Sequence, residues 1–233
     1  MIHDLHVAAW LLAFERQAER VVRSWRGGRS SRVYPPTRRE GRERLPLRPQ
    51  DIPLGGSRRI RDLALEEFKP ISPDTTIELA LAMASPPHRF DLLLELDRTG
   101  RPSSNLEKFH RYDALLTGWA RAHDHYKMQG EPPVVVFVVE DEPKARAFID
   151  AADAAITGAV VTPGTAPEHW EYPGRERTFF VCERDVHMGT LRSYRLPRYP
   201  PDVRKAQRGD HRRSKNRPEP EQVPLLERRL LQR

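Results

Sequence analysis

The stretch FDLLLELDRTGRPSSNLEKFHRY, residues 90–112, sets three carboxylates, Asp91, Glu95 and Asp97, into an otherwise apolar run and follows them with Lys108. In a strand, successive side chains point to opposite faces, so Phe90, Leu92, Leu94 and Leu96 share one face while Asp91, Leu93, Glu95 and Asp97 share the other. Leu92, Leu93 and Leu94 are consecutive, which implies burial on both faces. Like charges two residues apart in such a strand repel one another and lose solvation. The plainer reading of Glu95 and Asp97 is the polar face of a half-exposed strand. The apolar neighbours favour instead a cationic companion.

Flanking residues can provide it. SPDTTIELALAM (72–83) reads as a strand, a Ser-Pro-Pro-His break follows, and HRFDLLLELD (88–97) is a second strand, so the two are expected to form a hairpin that brings Asp74 beside Glu95. Residues 95 and 97 lie about 7 Å apart along one face, close enough to share a divalent cation directly or through water. Carboxylate oxygens suit Mg²⁺ or Mn²⁺ better than zinc. Lys108 sits eleven residues after Asp97, in the first turn of the next predicted helix. There its ammonium can reach the carboxylates or a phosphate, orient an attacking water, or stabilise developing charge.

Outward from this centre the elements alternate. Ser104 and Glu107 fit a capping box, and Leu106, Phe109, Tyr112, Leu116, Trp119 and His123 continue a helical stripe to about Lys127. PPVVVFVVE (132–140) is a β-branched run of the kind that suits a parallel strand covered on both faces. Asp141 and Pro143 start a further helix, KARAFIDAADAA. ITGAVVT (156–162) and RTFFVCE (177–183) read as two more strands. Upstream, Asp4 is expected to cap a first helix, and VVRSWRG (21–27) reads as a short strand.

Residues 28–69 are rich in Arg, Pro and Gly and predict a long excursion holding one small helix, a length that favours a functional loop. From Arg195 onward the expectation is a largely disordered basic tail, ending in a short helix within VPLLERRLLQR. One α/β domain over residues 1–194 and a tail over 195–233 follow from this pattern.

Charge is distributed unevenly. Of a formal net +7, residues 1–69 hold 15 Lys or Arg against 9 Asp or Glu, residues 70–162 hold 9 against 14, and residues 163–233 hold 16 against 10. An acidic middle between basic arms is what a metal-dependent enzyme acting on nucleic acid requires; solvated arginine on a basic protein is the alternative. The basic positions expected to meet nucleic acid are Arg26, Arg38, Arg39, Arg58, Arg59, Arg98, Arg212 and Arg213, joined by Tyr112. The single cysteine, Cys182, excludes an intrachain disulfide and fits a reducing cytoplasm, and its FFVC context reads as a buried strand thiol. No apolar run is long enough for a membrane span, and the start of the chain lacks the flank and cleavage site of a signal peptide.

A Pro-Asp at a strand start, a later Glu-x-Asp strand and a displaced helical lysine resemble the PD-(D/E)XK nuclease core. More narrowly, HDL at 3–5, Trp25-Arg26, Pro73-Asp74, LELDR at 94–98, the Lys108–Tyr112 helix and the PPVVVFVV strand resemble, in order and spacing, the replication-relaxation family of actinobacterial plasmids and mobile elements. The resemblance covers about residues 3 to 162. It implies an α/β restriction-endonuclease-like fold, with a mixed central sheet flanked by helices, and a role in DNA replication or mobilisation. Asp74, Glu95 and Asp97 would hold Mg²⁺ or Mn²⁺ and Lys108 would act as a migrated catalytic lysine. Asp97 occupies the usual lysine position. Family members often carry a DNA-reading region before HDL, whereas this chain starts Met1-Ile2-His3, so sequence reading would come from elsewhere.

Other motifs carry less. His123 and His125 point to different faces of a helix and read as helix-end polar residues rather than chelators. No Walker loop, dinucleotide fingerprint or nucleophile elbow is present. Trp25, Tyr34 and Trp170 could stack on bases, though packing explains them better. The expected partner is DNA, with a second copy of the chain or replication and mobilisation proteins as further partners. Two other functions remain open from sequence: a DNA-binding or protein-interaction module that has lost catalysis, and a protein whose arginine-rich arms contact an acidic partner.

Overall fold

The computed structural model describes residues 2–18, 21–54, 58–59, 67–81, 88–99, 101–161, 164–166, 169–208 and 220–225. Helix α1 (Ile2–Ala18) leads into strand β1 (Val22–Gly27). Two small ladders follow, β2 (Thr37–Glu40) with β3 (Glu43–Pro46) and β4 (Pro53–Leu54) with β5 (Arg58–Arg59). The central hairpin is β6 (Thr75–Leu81) and β7 (His88–Asp97). The chain then crosses through α2 (Leu106–Ala114), a π-helical turn at Leu115–Trp119, α3 (Ala120–Ala122) and α4 (Asp124–Gln129) to β8 (Val134–Val139). Helices α5 (Glu142–Ala155) and α6 (Pro173–Glu176) precede β9 (Thr178–Cys182). The remaining elements are α7 (Glu183–His187), β10 (Arg192–Arg195), α8 (Pro201–Arg208) and β11 (Glu221–Pro224).

Seven strands form one mixed sheet in the order β1-β6-β7-β8-β9-β10-β11. β7, β8 and β9 run parallel to their neighbours within that trio; the pairings outside it are antiparallel. The register breaks once between Val22 and Ser24 on the outer strand β1. Helices cover both faces, as a parallel centre demands, because each crossover helix must lie against the sheet.

β8 explains why VVVFVV is apolar throughout. Val135, Phe137 and Val139 join a core with Leu93, Phe109, Tyr112, Trp119 and Phe148 on the α2 and α5 side, whereas Val134, Val136 and Val138 join Trp10, Phe14, Leu92 and Leu94 under α1. Each such side chain contributes about 1.5–3 kcal/mol by leaving water, which fixes β8 as the centre of the sheet. Stacking of Trp10 on Phe14, with ring centroids 5.0 Å apart, orients α1 on its face. Cys182 is buried at the end of β9.

Several sequence expectations differ from the structure. The predicted six-turn helix is broken: the π turn interrupts it, and His123, with extended backbone at φ −80° and ψ 122°, separates α3 from α4. Ser104 does not cap α2. It lies in a 3₁₀ turn, Pro102–Asn105, and its hydroxyl donates to Arg101 O at 2.7 Å. Asp4 lies inside the first turn of α1 rather than at its cap. The described part of ITGAVVT, residues 156–161, forms no strand beyond an isolated bridge between Val160 and Glu171. Its Thr157 and Gly158 amides donate to the buried Asp113 carboxylate at 2.9 and 2.7 Å, which diverts them from a ladder. A Cβ at Gly158 would sit 2.6 Å from Thr117 Oγ1, so only glycine allows this approach.

The excursion carries two ladders rather than open loop, and the small helix expected near its end falls outside the described residues. The expected disordered tail instead contributes α8 and β11, with Leu196 and Leu225 buried. Ser193 Oγ, on β10, donates to Val223 O at 2.9 Å and helps to hold β11 in place. The C-terminal helix predicted from Val223 begins as strand, and residues 226–233 lie outside the described chain.

Candidate active site

The hairpin register decides the site. Thr75 pairs with Leu94, and the Asp74 amide donates to Leu94 O at 2.9 Å, which sets Asp74 opposite Glu95. Asp74 Oδ2 in turn accepts the Leu96 amide at 2.8 Å, and its Oδ1 lies 3.0 Å from His3 Nε2 on α1. Two elements distant in sequence therefore grip the Asp74 carboxylate.

Glu95 points toward α2. Its side chain is 2% exposed, with Oε2 receiving Lys108 Nζ at 2.5 Å and Oε1 receiving the Tyr112 hydroxyl at 2.6 Å. Lys108 and Tyr112 are four residues apart on a helix and thus share one side, which lets both reach a single carboxylate. Burial pushes the Glu95 carboxyl above the ordinary carboxylate range; Lys108 and Tyr112 restrain that rise, and the Asp74 charge adds to it. For Lys108, burial works to lower the value, but the charges of Glu95, Asp74 and Asp97 outweigh it and hold the ammonium above its usual value. The lysine is a permanent cation at neutral pH. Burial also keeps the Tyr112 phenol protonated, so it acts as a donor.

Asp97 shares the Glu95 face but serves its own loop. Oδ1 accepts the Thr99 amide and hydroxyl at 2.7 and 2.8 Å, and Oδ2 accepts Asn105 Nδ2 at 2.5 Å. These contacts join the end of β7 to the start of α2 and help to deliver Lys108 to Glu95. Asp91, at the other end of β7, is buried among Arg26 at 3.2 Å, His125 at 2.8 Å and Gln129 at 2.7 Å. His125 is therefore an anchor for α4 on the sheet.

Among the expected nucleic-acid residues, Arg26 pairs with Asp91, Arg38 with Glu40 and Asp51, and Arg98 with Glu183. Tyr112 is fully buried, which removes its ring from any nucleic acid and corrects that expectation. Arg39 lies exposed on β2, and Arg58 and Arg59 form β5. Arg212 and Arg213 lie outside the described residues.

A groove of about 540 Å³ opens beside Asp74, lined by His3, Leu11, Trp25, Arg29, Arg32 and the Ser72–Thr75 segment. Sequence reasoning noticed HDL and Trp25 but gave Arg29 and Arg32 no role, because nothing local signals that α1 packs across the head of β6. Spacing alone could not bring residues 3 and 74 together.

Among the described residues, no group of three or more His, Cys, Asp or Glu side chains converges as a metal cage. Magnesium commonly takes only one or two protein carboxylates, completing its shell with water and phosphate oxygens. Asp74 and Glu95 fit that requirement as two hard oxygen donors on adjacent strands. Asp97 accepts from Thr99 and Asn105 within its own loop, and Asp74 and Glu95 likewise have partners at both oxygens, which an ion would have to replace.

Among the described residues no helix is long and apolar enough to cross a membrane. Comparison of the chain with protein-family models, curated proteins and solved structures found no match in any of the three.

Proposed function

We propose that this chain is a metal-dependent DNA nuclease of the PD-(D/E)XK type, in the replication-relaxation group that its sequence resembles. The observation that carries the reading is the Lys108–Glu95 pair between α2 and β7, with Asp74 set opposite Glu95 at the head of β6 by the hairpin register and its charge acting on both. The order of elements supports it: a helix, three antiparallel strands, a crossover helix and a parallel strand, with one acid heading the middle strand and another inside the third.

Asp74 and Glu95 would hold Mg²⁺ or Mn²⁺, and the ion would supply charge neutralisation at the scissile phosphate and a more acidic water. The protein residues have separable tasks. Tyr112 and the buried setting fix the Glu95 rotamer. His3 and the Leu96 amide hold Asp74 toward the same strand end. Lys108, kept protonated by its acidic neighbours, offers N–H donors to a phosphate oxygen or to the attacking water and acts as a fixed cation rather than a base. Burial gives Glu95 a raised acid threshold, so activity rises as pH climbs above the ordinary carboxylate range.

The test is relaxation of supercoiled plasmid by purified protein with Mg²⁺ or Mn²⁺. Nicking is expected, with a loss of at least about 100-fold in Glu95→Gln and Lys108→Ala, on the scale set by removal of one electrostatic transition-state group. Nicking that survives both substitutions sinks the assignment. The second reading, a DNA-binding module without catalysis, draws on the occupation of both Glu95 oxygens by Lys108 and Tyr112. Salt-dependent DNA binding without cleavage, unchanged by Glu95→Ala, selects that reading.

A further inference from the structure

The geometry points to the groove beside Asp74 as a binding track for a single-stranded polynucleotide, with a base stacked on Trp25 and phosphates on Arg29 and Arg32. Its link to the scissile site rests on the nuclease reading above; the binding itself does not.

Four observations converge. Trp25 is 57% exposed, although it sits on a strand whose neighbours could have covered an indole, and its ring lines the groove. Arg29 and Arg32 are exposed and have no ion-pair partner among the described residues, unlike Arg26, Arg38 and Arg98. Arg32 lies over the Tyr34 ring at 5.3 Å, which holds its guanidinium by a cation–π contact while leaving the N–H fork for an anion. Gly27 and Gly28 join the strand to the turn beneath the groove, with Gly28 at φ +56°, and their missing side chains leave that wall low.

Size selects the occupant. A groove of about 540 Å³ falls within the range of roughly 300–1,000 Å³ that encloses a small ligand, and suits a nucleotide or two rather than a double helix. Apolar walls from Val7, Ala8 and Leu11, an exposed indole and two guanidiniums without an ion-pair partner among the described residues match a chain of alternating bases and phosphates. Asp74 and its partner His3 also line the groove. A strand lying there would be led past the Asp74–Glu95–Lys108 cluster.

The experiment measures fluorescence anisotropy of labelled oligo-dT, oligo-rU and a DNA duplex of equal length, in EDTA, with the full chain. One of the single strands is expected to bind more tightly than the duplex, and the tighter of the two identifies the polymer. Trp25→Ala is expected to weaken that binding roughly 5- to 150-fold, the range for loss of one base–aromatic stack, while Trp25→Phe restores most of it. The double variant Arg29→Ala/Arg32→Ala should reduce the slope of log affinity against log salt by about 1.4, at about 0.7 per single-strand phosphate contact. All three side chains are exposed, so these variants are expected to fold.

Preference for the duplex, or affinity unchanged by Trp25→Ala, overturns the inference. Nicking that persists while oligomer binding ignores Trp25 removes the groove and leaves the nuclease. Oligomer binding through Trp25 with no nicking keeps the groove and removes the nuclease.

Discussion

Glu95 shows how one buried acid organises its surroundings. With only 2% of its side chain exposed, an ionised carboxylate there needs a donor at each oxygen, and Tyr112 and Lys108 provide them. Tyr112→Phe keeps the ring that packs edge-on against Phe137 at 5.9 Å and deletes only the hydroxyl. The expected cost is about 1–3 kcal/mol in urea denaturation, the penalty for stranding one buried acceptor. On the proposed nuclease reading, the acid limb of the nicking profile in the same variant should move further up in pH, since Tyr112 holds the Glu95 value down in the parent chain. A limb that stays in place would show that the hydroxyl does not set the charge state of Glu95.

Among elements, the turn from β7 to α2 has the clearest division of labour. Asp97 holds Thr99 and Asn105, and that turn sets the angle at which α2 brings Lys108 back over the strand. Asp97→Ala is therefore expected to destabilise the fold by about 1–2 kcal/mol, as loss of a local side-chain cap does, and to leave Mg²⁺ affinity measured by calorimetry unchanged. A large loss of metal affinity would return Asp97 to the metal site. The same region shows what sequence makes legible. Period-two alternation disclosed the shared face of Glu95 and Asp97, and the Pro-Asp strand start disclosed Asp74, because both are local patterns. Helix periodicity found the Lys108–Tyr112 pair but not the break at His123, which depends on the dock of His125 onto Asp91 from another element. His3 and Asp74 are far apart in the chain, and Arg175 meets Asp153 across two different helices, so neither pair lies on one helical or strand period.

Across the whole molecule, the pair Arg175 and Asp153 ties the C-terminal third to the sheet. Arg175 is fully buried; it donates to Asp153, to Ile156 O at 2.5 Å and to Pro197 O at 2.7 Å, while Arg204 of α8 meets Asp153 Oδ2 at 2.6 Å. Burial would raise the Asp153 carboxyl, but the hydrogen bond from Arg204 and the charge of Arg175 outweigh it and hold the group below the ordinary carboxylate range. A lowered acid stabilises the fold above its unfolded value and loses that contribution as pH falls through the folded one. Asp153→Asn should thus cost about 3–5 kcal/mol at neutral pH, because a buried guanidinium loses its counter-charge. The difference from the parent chain should shrink on acidification below the ordinary carboxylate range. A gap constant with pH in urea titrations would assign the loss to packing rather than charge. Sequence hid this clamp because an arginine-rich, proline-rich tail reads as solvated chain, whereas the structure employs individual arginines as internal ties.

The ends of the seven-strand sheet determine how the molecule meets other copies of itself. A β-sheet with bare outer strands is a template for further strands, and proteins blunt such margins with bulges, charge, proline and brevity. β1 carries the register break after Val22 together with Arg23 and Arg26, and β11 is four residues long, begins with Glu221 and ends at Pro224. Both margins are thus poor templates for strand addition. Sheet continuation between chains, and the fibrous aggregation that follows from it, is disfavoured at both sides.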